Sequence, residues 1–156
     1  MKINTVLVPL DGSVLAEGAL PRAIELAAHS DTRVILLRAT QASTFPAGDM
    51  ISAQVKVVDE AEHYLAEVAS RLSAVGVKNV QSSVWYGPPA SAIVDAAALN
   101  HVDLIVMASH GRSGLGRVVM GSVAESVLRG TTTPILLVRD AQAPLEAPAG
   151  AATCSG

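Results

Sequence analysis

The chain has 156 residues, half of them hydrophobic and only 3% aromatic, with a formal net charge of -3 at pH 7. That length suits a single domain burying roughly 70% of its unfolded surface without disulfides or metals. The aliphatic bias argues against an aromatic-rich β-sandwich, and the acidic balance argues against a basic face for nucleic acid.

The single Cys154 excludes a disulfide framework within the chain. Met1-Lys2 leads directly into a strand-like run, with no signal-peptide pattern. No apolar run reaches the ~18 residues of a membrane span. A cytoplasmic protein is the expectation.

In chain order, Thr5 to Leu10 is a short continuous apolar run, the pattern of a strand buried on both faces, with Pro9 near its end. Asp11-Gly12-Ser13 reads as a turn with Ser13 as helix cap. One helix is expected next, with Leu15, Ala19, Ala23, Leu26 and Ala27 near one face. Arg33 to Leu37 is a second buried strand, and residues 41 to 50 are loop-like. Val58, Ala61, Leu65, Val68, Leu72 and Val75 step by three and four, marking a long helix that Gly76 ends. Val80 to Trp85 is a third strand. Gly87-Pro88-Pro89 breaks it and opens a helix carrying Ile93, Val94 and Ala97. Val102 to Met107 is a fourth strand. A glycine-rich loop and a helix from Val123 follow, then a fifth strand, Pro134 to Val138. Residues 141 to 156 are rich in Ala, Pro and Gly and are expected to be a disordered tail, leaving 1–140 as the folded domain. Five strands alternating with helices imply an α/β fold, a single-domain open parallel five-stranded sheet with helices on both faces. Such sheets bind ligands at the carboxyl ends of their strands, where the strand order reverses.

The loop after the fourth strand carries the chemistry. No Asp or Glu occurs between Asp103 and Glu125, whereas Gly111, Arg112, Gly114, Gly116, Arg117 and Gly121 all lie there. Ser122 followed by Glu125 has the form of a capping box, which places the helix start at Ser122. Unpartnered N–H groups at a helix start favour an anion, and glycines let phosphate oxygens approach the backbone. The two arginines offer bidentate contacts. A purely structural turn and cap account for the same residues, and a Ser122 hydroxyl engaged as a cap is less free to bind phosphate. Gly111-Arg-Ser-Gly114-Leu-Gly116 is not G-x-G-x-x-G, and no G-K-[ST] occurs, so neither a dinucleotide fingerprint nor a P-loop is present.

Val8-Pro-Leu-Asp-Gly-Ser13, together with Ala108-Ser-His-Gly111, nine residues and then Gly121-Ser122, resembles the universal stress protein family over about residues 3 to 139. Nucleotide-binding members of that family carry G-x-x-G, nine residues, then G-[S/T]. Here Ala108 stands at the first glycine. It adds one methyl, a mild change where the backbone angle is ordinary. The resemblance implies a Rossmann-like sheet of the adenine nucleotide alpha hydrolase-like kind, and ATP as ligand. It implies adenine near Pro9, Ala39 and Met107, with Leu10 among the nucleotide-binding residues. Asp11 would face the nucleoside, near the ribose or a Mg²⁺ held through the phosphates. Gly111, Gly121 and Ser122, with backbone from Arg112 and Val123, would hold the phosphates, and Ala108 and His110 would belong to the same nucleotide-binding set. No catalytic residue is assigned. His110 has no carboxylate neighbour in sequence to orient it, and Asp11 also suits a plain turn. Trp85 and Tyr86 fit packing or a dimer contact better than the pocket rim.

The resemblance further implies a homodimer through strand 134–139, with switching of conformation or partner on ATP binding and at most slow hydrolysis. Two other readings stay open: a nucleotide hydrolase or phosphotransferase using Asp11 and His110, and a dimeric interaction module without nucleotide.

Overall fold

The computed structural model describes residues 2–28, 31–41, 50–109 and 120–139. The first strand, β1 (Thr5–Pro9), lies at the centre of a parallel sheet. β2 (Arg33–Thr40) and β3 (Asn79–Tyr86) follow on one side, β4 (Leu104–Ala108) and β5 (Ile135–Val138) on the other. All four ladders are parallel, in the order β3-β2-β1-β4-β5. The sheet expected from the sequence is therefore present.

Two helices, α1 (Val14–Glu17) and α2 (Leu20–Ala27), stand where one was expected. The physical reason is Pro21, the second residue of α2, which lacks the N–H that would continue the ladder. Gly18 and Ala19 instead donate three residues back, to Leu15 and Ala16. Ala16, Ala19, Leu20, Ala23 and Ala27 are still buried, so the apolar stripe runs through the break.

The long helix α3 (Met50–Ala74) buries Ala61, Leu65, Val68 and Leu72, as the spacing predicts. Val75 does not join them; it lies past the last turn and is 56% exposed. Gly76 takes φ +98, its N–H bonds Ser73 O, and the Val77 N–H reaches back to Leu72 O, a Schellman closure. Pro89 opens α4 (Pro89–Leu99), which Asn100 ends by donating Nδ2–H to Ala96 O at 2.9 Å. The last helix is α5 (Ser122–Gly130), carrying an Arg129–Glu125 pair one turn apart at 2.8 Å.

Strand side chains alternate between two cores. Val6, Val8, Val34, Leu36, Leu104 and Val106 meet α1, α2 and α3. Leu7, Ile35, Leu37, Ile105 and Met107 meet α4 and α5, with half-buried Trp85 packed beside them. Trp85 donates Nε1–H to Ser83 Oγ at 3.0 Å, a packing role, while Tyr86 is exposed. Among the described residues no helix is long and apolar enough to cross a membrane. The expected tail, Cys154 and most of the expected 41–50 loop lie outside the described residues.

Candidate functional site

β1 leaves the sheet early. It pairs with β4 only at Val6–Leu104 and Leu7–Ile105, whereas β2 and β3 stay paired from Arg33–Asn79 to Thr40–Tyr86. The crossover reverses between β1 and β4, so the strands diverge there and leave a crevice at their carboxyl ends. A cleft of about 490 Å³ occupies it. Its lining includes Pro9, Leu10, Asp11, Ala39, Met107, Ala108, Gly121, Ser122 and Val123. These are all the described residues that the sequence singled out for a site. They come from four separate segments. His110, Gly111 and Arg112 lie outside the described residues.

Each segment presents a definite chemistry. Asp11 Oδ1 accepts from the Ser13 N–H at 2.8 Å and from the Ser13 hydroxyl at 2.5 Å, an Asx turn. Ser13 Oγ accepts from Ala16 N–H at 3.2 Å, so Ser13 caps α1 as expected. Gly12 holds the turn with φ +83. In β2, odd-numbered residues turn their peptide groups towards β1: Arg33 N–H bonds Asn4 O, and Leu37 O accepts from Leu10 N–H. Ala39 is next in that series, but β1 has ended at Pro9. Its N–H and C=O therefore face the cleft as one donor and one acceptor side by side.

The start of α5 differs from the expected capping box. Gly121, with φ -58 and ψ 147, is the cap residue, and Ser122 is already the first helical residue. The box does not close because Glu125 is paired with Arg129 instead. No side chain caps the helix. Gly121 N–H bonds Ser109 O at 2.8 Å, and the first helical bond runs from Glu125 N–H to Gly121 O. The N–H groups of Ser122, Val123 and Ala124 consequently have no partner within the helix and stand at the cleft wall. Ala108 is the last residue of β4, paired with Val138 and free of positive φ, so alanine is unstrained there.

The sequence reading missed the other side of the cleft. Ala16, Arg38, Gln41 and Val57 line it beside α1 and α3, and Pro89, Ile93 and Ala124 beside α4 and α5. Arg38 has its guanidinium 5.1 Å from the Tyr64 ring centre. Tyr64 donates to Glu17 at 2.9 Å; burial, then that bond, pushes its hydroxyl well above the ordinary range, so it stays a donor. Among the described residues no group of three His, Cys, Asp or Glu is arranged for a metal ion.

The family model of the universal stress protein family matches residues 2–139. The chain belongs to the universal stress protein family. A universal stress protein of Methanocaldococcus jannaschii is 34% identical over 140 residues, covering 86% of this chain and 81% of that one. A solved hypothetical protein whose biochemical function was assigned from its structure superposes with a TM-score of 0.80 at 28% identity, over 91% of this chain and 99% of its own. A universal stress protein solved in complex with cAMP gives a TM-score of 0.67 at 28% identity, over 89% and 98%. This chain thus shares its fold with these solved structures.

Proposed function

We propose that the cleft binds an adenine nucleotide, ATP foremost, and that the protein is a stress-response regulator that switches conformation or partner with nucleotide occupancy. The observation that carries this reading is the convergence of two unpaired backbone sets on one crevice. The Ala39 N–H and C=O match the donor–acceptor edge of adenine, with Pro9 and Met107 as apolar walls. The Ser122, Val123 and Ala124 N–H groups, at the positive end of the α5 dipole, match phosphate oxygens. Asp11, oriented by Ser13, faces the ribose between them, and any Mg²⁺ held through the phosphates would approach its carboxylate. His110, Gly111 and Arg112 would complete the phosphate side. The related protein solved with cAMP supports a nucleotide of this class.

Hydrolysis is slow at most in this reading: the chain has no Walker lysine, and the Asp11 carboxylate is engaged by its own turn. The protein acts in the cytoplasm as a homodimer joined through residues 134–139.

Isothermal titration of the full chain with ATP tests the site. Saturable binding below millimolar nucleotide is expected, and its absence overturns the reading. Gly121→Val should weaken ATP binding by about tenfold or more while leaving the thermal melt in place, because φ -58 and ψ 147 suit valine. Unchanged affinity in a folded variant would remove the phosphates from this backbone.

A further inference from the structure

The cleft continues past the strand ends onto the α1 and α3 face, where Arg38 is its cation among the described residues. The guanidinium has two close neighbours. It lies over Tyr64, and its atoms come within 3.3 Å of where a Gly12 side chain would begin. Tyr64 is itself fixed by Glu17 Oε1, and Glu17 Oε2 accepts from Arg71 at 2.9 Å. Both Glu17 oxygens are therefore engaged with Tyr64 and Arg71. Among the described residues Arg38 makes neither a hydrogen bond nor an ion pair. A half-buried guanidinium has five N–H donors to satisfy, and its fork fits phosphate. The helix start at Ser122 lies across the crevice, beyond β1, so this is a second anion position and not part of the first.

Its neighbour in the chain turn decides what it reads. Gly12 follows Asp11, which the nucleotide reading sets against the ribose, so in that reading the guanidinium would border the 2′,3′ edge of the sugar. We infer that Arg38 forms an anion subsite at the ribose edge, and that the cleft takes adenine nucleotides bearing a phosphate ester on the 2′- or 3′-oxygen; this rests on the nucleotide reading above. Asp11 borders the same subsite. Its Oδ1 accepts from the Ser13 N–H and the Ser13 hydroxyl. Gln41, on the same wall, offers an amide donor to the ester oxygens.

Calorimetry on the full chain with 5′-AMP, adenosine 2′,5′-bisphosphate and adenosine 3′,5′-bisphosphate tests the subsite. At least one bisphosphate should bind about tenfold or more tightly than AMP, the scale of one charge-assisted contact; which isomer does so identifies the ester position. In Arg38→Gln that ratio should fall to about one, and in Arg38→Lys it should be intermediate, since lysine keeps the charge without the fork. AMP binding with no preference for either bisphosphate overturns the inference alone, and so does a preference that survives in folded Arg38→Gln. Failure of all three nucleotides to bind overturns the nucleotide reading and the subsite with it.

Discussion

Single residues show where short sequence patterns stop being informative. Ser122 and Glu125 have capping-box spacing, yet Glu125 turns to Arg129 and the cap moves to Gly121. The pattern encodes reach, not the competition between partners. Ala108 departs from the family's glycine, but its place at the end of β4 makes the added methyl harmless to the backbone. Arg38 was invisible as a site residue because its setting is made by Gly12 and Tyr64, which only the fold brings to it. Asp103 is a residue whose effect is measurable in isolation. Its Oδ2 accepts from the backbone N–H groups of Asn4 and Thr5 at 2.8 and 2.9 Å, and these bonds hold its carboxyl below the ordinary 3.8. A depressed folded value means a stabilising contribution that is complete above 3.8 and disappears as pH falls through the folded value. Asp103→Asn should therefore lower the melting temperature at neutral pH, with the gap to the wild type closing in strong acid. Parallel melting curves at every pH would show that the ionised carboxylate contributes nothing.

At the scale of elements, β1, β2 and β4 were legible because parallel strands buried on both sides read as unbroken aliphatic runs. The α3 stripe was legible because its apolar residues step by three and four, and Gly76 marked its end. The break between α1 and α2 was not, since Ala19, Ala23 and Ala27 keep helical spacing through it while Pro21 alters only the hydrogen bonds. Strand ends were off by one to three residues because pairing partners, not composition, decide where a ladder stops: β2 runs to Thr40 only because β3 runs alongside it to Tyr86. The stripe of α3 also overran by one residue at Val75. A pair of substitutions separates the buried positions from that one. Leu65→Ala should cost about 2–5 kcal/mol, as large-to-small changes at fully buried sites do. Val75→Ala should stay within about 0.5 kcal/mol, the range of surface changes. Urea titrations measure both, and equal losses would mean that Val75 shares the core.

At the scale of the whole molecule, the sheet has two outer edges among the described residues, and they are not alike. β3 shows Asn79, Gln81 and Ser82 to solvent, a polar edge unsuited to association. β5 shows Leu136 and Leu137, 39% and 36% exposed, beside backbone groups that pair with β4 on one side alone. Joining two β5 edges about a two-fold axis would cover those leucines and continue the sheet across both copies. The same edge is tied to the cleft through the backbone. Ser109 N–H bonds Val138 O at 2.9 Å, and Gly121 N–H bonds Ser109 O at 2.8 Å, so two consecutive bonds run from the end of β5 to the cap of α5. A phosphate held on the first turn of α5 would bias that cap, and linkage requires that whatever nucleotide does to dimer affinity, dimerisation does to nucleotide affinity. Sedimentation equilibrium should give twice the 16.0 kDa chain mass, falling to one chain in Leu136→Lys and staying at two in Ser82→Lys. Saturating ATP should shift the wild-type dimer constant. A monomer at all concentrations would leave the β5 edge without a role, and a dimer indifferent to nucleotide would separate the edge from the cleft despite the two bonds that join them.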